Sequence, residues 1–163
     1  MPDSVAMTSA RNAALIEASL ELAAERCADP TPLVYARLFA AEPELEPYFW
    51  RDTTGTIKGE MLSKVFEAIL DFVGPRTYAH QLMTTEMVNH EGFDVPREVF
   101  ATFFGLVGEV VKELAGDDWT VETEAAWGEL LAEIATYIGA TPRSDVVTPA
   151  FPSYYARKAA AEA

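Results

Sequence analysis

Apolar residues in this chain recur every three or four positions, in successive runs that are each cut by proline or glycine. That spacing puts apolar side chains on one face of a helix, and almost no stretch shows the period-two alternation of a half-buried strand. An all-α domain is therefore expected. Leu15, Leu20, Leu22 and Ala23 stripe a first helix that stops before Ala28-Asp29-Pro30. Thr31 followed by Pro32 reads as a helix cap with proline at the first helical position. The second helix turns Val34, Tyr35, Leu38 and Phe39 inward, and Pro43 to Pro47 then divides the chain into short turns ahead of Tyr48-Phe49-Trp50.

Arg51 to Gly59 is polar, holds Thr53, Thr54 and Gly55, and is expected to be a mobile loop. From Met61 the series Met61, Leu62, Val65, Phe66, Ile69, Phe72 predicts a helix with one broad apolar face, stopped by Gly74-Pro75. Tyr78 to His90 is less regular, with Leu82, Met83, Met87 and Val88 as its apolar set. Two long helices follow. Pro96 to Leu114 is ended by Gly116, and Val121 to Ile138 is capped by Thr120 and ended by Gly139.

The division expected along the chain is a flexible N-terminus over 1–8, one helical domain over 9–139, and a C-terminal tail over 140–163. The tail carries Phe151, Tyr154 and Tyr155, which either lie in a flexible terminus or dock on the domain or on a second copy. With 163 residues, 50% of them hydrophobic and 11% aromatic, the chain has enough apolar surface for one core. A formal net charge of -14 opposes phosphate backbones and anionic headgroups, so neither nucleic acid nor a membrane surface is an expected partner. No basic-then-apolar leader opens the chain, and no run of about 18 apolar residues occurs, which makes a cytoplasmic protein the expectation.

Cys27 is the single cysteine, so no intrachain disulfide forms and no C-x-x-C-H motif attaches a haem covalently. The chain has 2 histidines. His90 lies in Asn89-His90-Glu91-Gly92-Phe93-Asp94-Val95-Pro96, at a turn ahead of a strongly apolar helix. A histidine between apolar walls suits the single axial ligand of an iron cofactor; its plainer explanation is an ordinary helix-end hydrogen bond. His80 sits in no such context and takes the plainer explanation. No Glu-x-x-His or His-x-x-x-His pair is present for a nonhaem metal.

Several separate stretches, taken in order, resemble the globin family, most closely bacterial single-domain haemoglobins and the globin portion of flavohaemoglobins. Pro32-Leu33-Val34-Tyr35-Ala36-Arg37-Leu38-Phe39, then Pro43-Glu44-Leu45 and Phe49, is similar to that family's second helix, short third helix and haem-packing phenylalanine. Glu67-Ala68-Ile69 resembles part of the distal helix, and His90 followed by Val95 matches the spacing from the proximal histidine to the apolar residue before the next helix. Asp118-Trp119-Thr120 with Ala126-Trp127 resembles the start of the last helix.

The resemblance implies a globin-like fold of about seven or eight helices around a haem pocket. It implies noncovalent haem b, with His90 as the metal ligand, Tyr35 as the distal hydroxyl and Phe49 packing on the haem. Met61 and Val65 would face bound gas, with Met87, Val95 and Phe100 completing the cofactor contacts. The chain departs from the family pattern at three places. The usual distal histidine or glutamine is replaced by Met61, or by Glu60 if the loop is shifted by one. Glu86 stands four residues before His90 where an apolar side chain is usual. Phe100 and Pro142 occupy the positions of the tyrosine and glutamate that raise electron donation from the proximal histidine in flavohaemoglobins, so that network is expected to be absent.

The function so implied is reversible binding or sensing of O2, NO or CO, with a diatomic gas as the partner. The rival readings are a haem-free globin-fold signalling or interaction domain, a bis-ligated redox haem with His90 and Met61 both on iron, and nitric oxide dioxygenation served by a separate reductase. A homodimer also stays open.

Overall fold

The computed structural model describes residues 10–141 and 154–163 of the chain. All regular structure among them is helical. Helices α1 (Ala10–Arg26), α5 (Arg97–Ala115) and α6 (Val121–Ala140) form the main packing unit. Helices α2 (Thr31–Ala41), α3 (Thr56–Val73) and α4 (Ala79–Gly92) build the rest, with a 3-10 segment at Pro43–Phe49 and a 3-10 turn at Gly116–Asp118. The short α7 (Tyr154–Ala161) lies against the 3-10 segment at Pro43–Phe49.

The core follows the expected apolar faces. Ile16, Val107, Leu130 and Ile134 are wholly buried where α1, α5 and α6 meet. Trp127 is buried beside them, and an indole N–H taken out of water needs an acceptor. Ser19 supplies it at 2.9 Å, and its own hydroxyl donates to the Ile16 carbonyl at 2.6 Å. Gly108 lets α5 approach this ring: a Cβ there would stand 3.3 Å from the Trp127 Cε3.

The helix starts differ from the sequence expectation in an instructive way. Thr120 caps α6 as expected, its hydroxyl accepting from the Thr123 amide at 3.1 Å. Thr31 caps nothing; it is already helical, and the Asp29 carboxylate accepts from its amide at 3.1 Å. The segment read as a mobile loop is shortened by nearly half, because α3 begins at Thr56 rather than near Met61. Asp52 fixes that start. Its carboxylate accepts from the amides of Ile57 at 3.1 Å and Lys58 at 3.0 Å, satisfying helix N-terminal donors that would otherwise be unpaired.

A second carboxylate joins α3 to α4. Asp71 lies on the buried face near the end of α3 and is only 3% exposed. It accepts from the amides of Thr77 at 3.1 Å, Tyr78 at 3.1 Å and Ala79 at 2.7 Å, and from the Thr77 hydroxyl at 2.9 Å. Burial works to raise its pKa, but the hydrogen bonds outweigh burial and hold it below the ordinary aspartate value. Helix α4 therefore starts from a residue belonging to α3.

The far end of α4 is fixed by Arg97, which is 7% exposed. Its guanidinium donates to the Glu91 carboxylate at 2.7 and 3.0 Å, to the Ile138 carbonyl at 2.9 Å and to the Thr141 carbonyl. It thus ties the corner after α4 to the C-terminal end of α6, where unpaired carbonyls attract a cation. The Arg157 guanidinium of α7 sits 4.1 Å from the Tyr48 ring, and Arg157 Nε donates to the Glu44 carbonyl at 3.2 Å. The expected docking of Phe151, Tyr154 and Tyr155 concerns side chains outside the described residues, as does Pro142 and the N-terminal stretch 1–8.

Replacing Asp71 with Ala should cost about 2 kcal/mol or more, because several buried donors lose an anionic acceptor at once. In a domain of this size that is a drop of about 4–8 °C in Tm, measured by thermal unfolding, whereas Asp71→Asn, which keeps one acceptor oxygen, should lose less.

Candidate functional site

A cavity of about 610 Å³ opens between α3 and α4 and is floored by α2 and α5. That volume lies within the range of small-molecule and cofactor sites. Helix α3 presents Ile57, Met61, Lys64, Val65 and Ala68, a spacing of four, three, one and three that keeps them on one face. Helix α4 presents Leu82, Met83, Glu86, Asn89 and His90, and α5 presents Val99, Phe100, Phe103 and Phe104.

His90 occupies the last turn of α4, not the turn beyond it. Its Nδ1 is 2.7 Å from the Glu86 carbonyl oxygen one helical turn earlier. A carbonyl can only accept, so Nδ1 carries a proton, and in the neutral ring the lone pair lies on Nε2. The imidazole is held from the side by Phe100, ring centroids 5.2 Å apart at 68°. The backbone behind it is closed by Phe93 and Val95, whose amides both donate to the His90 carbonyl, at 3.0 and 2.9 Å. Asp94 turns this corner with φ +60°, and its carbonyl accepts from the Tyr48 hydroxyl at 3.4 Å.

Tyr35 enters the cavity from α2, its residue 4% exposed. Phe49 and Phe103 each lie 5.4 Å from its ring, with Phe39 at 5.8 Å, so the phenol is fixed by aromatic contacts. Its hydroxyl has no hydrogen-bond partner among the described residues. Burial first, and then the Asp52 carboxylate, push its pKa well above the ordinary phenol value. It is a protonated donor facing an apolar space.

Of the residues singled out from sequence, His90, Tyr35, Phe49, Met61, Val65, Val95 and Phe100 all line this cavity. Met61 rather than Glu60 is on its wall. Met87 is not. At 100° per residue it falls beyond the arc of α4 that carries Leu82, Glu86, Asn89 and His90, and it is 1% exposed in the core behind them. Met83, on the near side of that arc, lines the cavity in its place.

Sequence reading passed over four groups that position or charge the site: Asp52, Asp71, Arg97 and Lys64. For the first two the signal is partial: Gly55 and Tyr78, not a Ser, Thr, Asp or Asn, stand immediately before α3 and α4, which calls for a cap from elsewhere without saying which residue supplies it. The cavity rim also gathers cations unusual in so acidic a chain. Arg51 and Lys64 line it, and Lys58 pairs with Asp52 at 2.9 Å. Trp50 and Phe93, also on its wall, are 65% and 56% exposed. Among the described residues no group of three or more His, Cys, Asp or Glu could hold a metal ion, and no helix is long and apolar enough to cross a membrane.

The family model described as Globin matches residues 33–138 of the chain. No curated protein and no solved structure matches it.

Burial works to raise the pKa of Asp52, but its bonds to Lys58 and Ile57 prevail and bring it down from 3.8 to about 2. A lowered folded value means that its stabilisation is fully present above the unfolded pKa and is lost as pH falls through the folded one. The stability difference between wild type and Asp52→Asn should therefore be constant above about pH 4 and shrink as pH approaches about 2. Denaturant unfolding followed by circular dichroism across that window checks it.

Proposed function

The chain belongs to the globin family, and we propose that it holds a noncovalent haem b through His90 and reversibly binds a diatomic gas on the side of the cavity reached by Tyr35. The observation that carries the reading is the His90 ring: its Nδ1–H is already spent on the Glu86 carbonyl, so Nε2 is left as a neutral, oriented ligand in an apolar cavity. The rest of the wall fits a flat apolar group with acidic edges. Phe49, Val65, Val95 and Phe100 offer apolar contact, and Arg51 and Lys64 at the rim suit carboxylates. Trp50 and Phe93 are exposed aromatics that such a group would cover.

Ferrous haem, when bound, supplies a reversible site for O2, NO or CO. The protein's part is to orient, to exclude water and to donate one hydrogen bond. The Tyr35 hydroxyl is the donor, since a thioether at Met61 has none. Its raised pKa keeps the proton on the phenol. In the apolar surroundings a hydrogen bond to the partial negative charge of bound O2 is worth about 1 kcal/mol or more.

A second reading follows from Met61, which lines the same cavity as His90 from the facing helix. A thioether and an imidazole on opposite faces of an iron would make a redox haem instead of a gas carrier. Visible spectra separate the two: a low-spin ferrous spectrum without added gas, converted to five-coordinate by Met61→Leu, selects the redox reading. Failure of the wild type to take up haem selects a haem-free interaction domain.

Protein supplied with haem should show a haem absorption band that His90→Ala abolishes or severely weakens while His80→Ala leaves it in place; the reverse result moves the ligand to His80. Tyr35→Phe should release O2 roughly tenfold faster, the loss of about 1.4 kcal/mol, whereas Met61→Leu should change the rate little. Flash or stopped-flow dissociation rates test this, and equal rates in wild type and Tyr35→Phe overturn the role of the phenol.

A further inference from the structure

Glu86 is an ionisable side chain on a wall where apolar contact would be cheaper, and it is 23% exposed. Two groups face its carboxylate. Oε1 lies 3.4 Å from Lys64 Nζ, which reaches across from α3. Oε2 lies 4.0 Å from His90 Nδ1, the same nitrogen that donates to the Glu86 carbonyl at 2.7 Å. One residue thus offers the imidazole N–H both a neutral acceptor and a full negative charge. Among the described residues Glu86 supplies the carboxylate within 4.0 Å of the His90 ring, and Phe100 meets that ring only through an aromatic contact.

Resting on the assignment of His90 as iron ligand, we propose that Glu86 is a positioning residue that sets how strongly His90 donates to iron, and that Lys64 opposes it. The physical chain is short. A carboxylate beside Nδ1–H stabilises the positive charge the ring acquires when Nε2 gives its lone pair to a metal, which raises ligand basicity and favours the ferric state. An ammonium paired to the same carboxylate draws part of that field away. Lys64 lies on the rim with its side chain 53% exposed, so the pair is weak.

The experiment is a redox titration of the haem-loaded protein combined with the ferrous iron–histidine stretching frequency. Glu86→Gln should shift the ferric–ferrous ratio at fixed potential roughly tenfold toward ferrous, about 59 mV on the midpoint, and lower the stretching frequency. Glu86→Asp, which keeps the charge, should stay close to wild type. Lys64→Met should move both readouts the opposite way, and that effect should vanish on the Glu86→Gln background. Unchanged midpoint and frequency in Glu86→Gln overturn the proposal while leaving His90 as ligand. A shifted midpoint with a fixed frequency also overturns it, because the charge then acts on the site without passing through His90. A wild type that takes up no haem overturns this inference together with the reading it rests on.

Discussion

Asp71 carries a charge into the interior where α3 gives way to α4, and the site depends on that charge staying paired. A buried carboxylate is costly unless its oxygens are filled, and here three backbone amides and a hydroxyl fill them. The same bonds satisfy the first donors of α4. Position and direction of the helix that bears His90 are thus set from the body of α3, and Asp52 does the equivalent for the start of α3. The two helices that wall the cavity are aimed by carboxylates outside themselves.

The opposite end of α4 is constrained by Arg97, which joins the Glu91 carboxylate to the carbonyls at the end of α6. Between these two anchors His90 has little freedom: its Nδ1 is bonded within its own helix, its ring meets Phe100, and its carbonyl accepts from the corner that follows. Rigidity of this kind is what a ligating histidine needs, because a loose ring would lose binding energy to ordering. The charge pattern is organised on the same plan. A chain with net charge -14 keeps Arg51 and Lys64 at one opening, pairs Lys58 with the Asp52 that lines it, and places Glu86 where it meets both a cation and the His90 ring.

How much was legible depended on whether the signal was periodic. The apolar faces of α3 and α5 are regular over several turns, so Val65, Phe100 and their neighbours were assigned correctly to inward positions. Helix α4 carries polar residues on almost every turn, since one side faces the core and another a cavity. Its apolar residues therefore did not tell Met83 from Met87, and the two were separated only by the angular position of each around the helix axis. The stretch from Arg51 to Gly59 reads as loose from its Thr and Gly content, yet Asp52 organises most of it. A cap that acts from five or six residues away has no fixed sequence spacing.

The helical class, the order of the helices, the family resemblance and the set of aromatic and apolar residues available for a pocket are all written in the chain's linear pattern. These depend on local propensity and on periodicity, which are properties of consecutive residues. Tertiary structure decided which of those residues share a cavity, that His90 Nδ1 is bonded to the Glu86 carbonyl, that the Tyr35 hydroxyl is left unpaired among the described residues, and that Lys64 and Glu86 meet at its edge. Each of these turns on distances between helices or on a few degrees of rotation about a helix axis. Such quantities are set by the summed packing of Ile16, Trp127 and the rest of the core, together with the buried bonds of Asp71 and Arg97, and no short stretch of sequence encodes them.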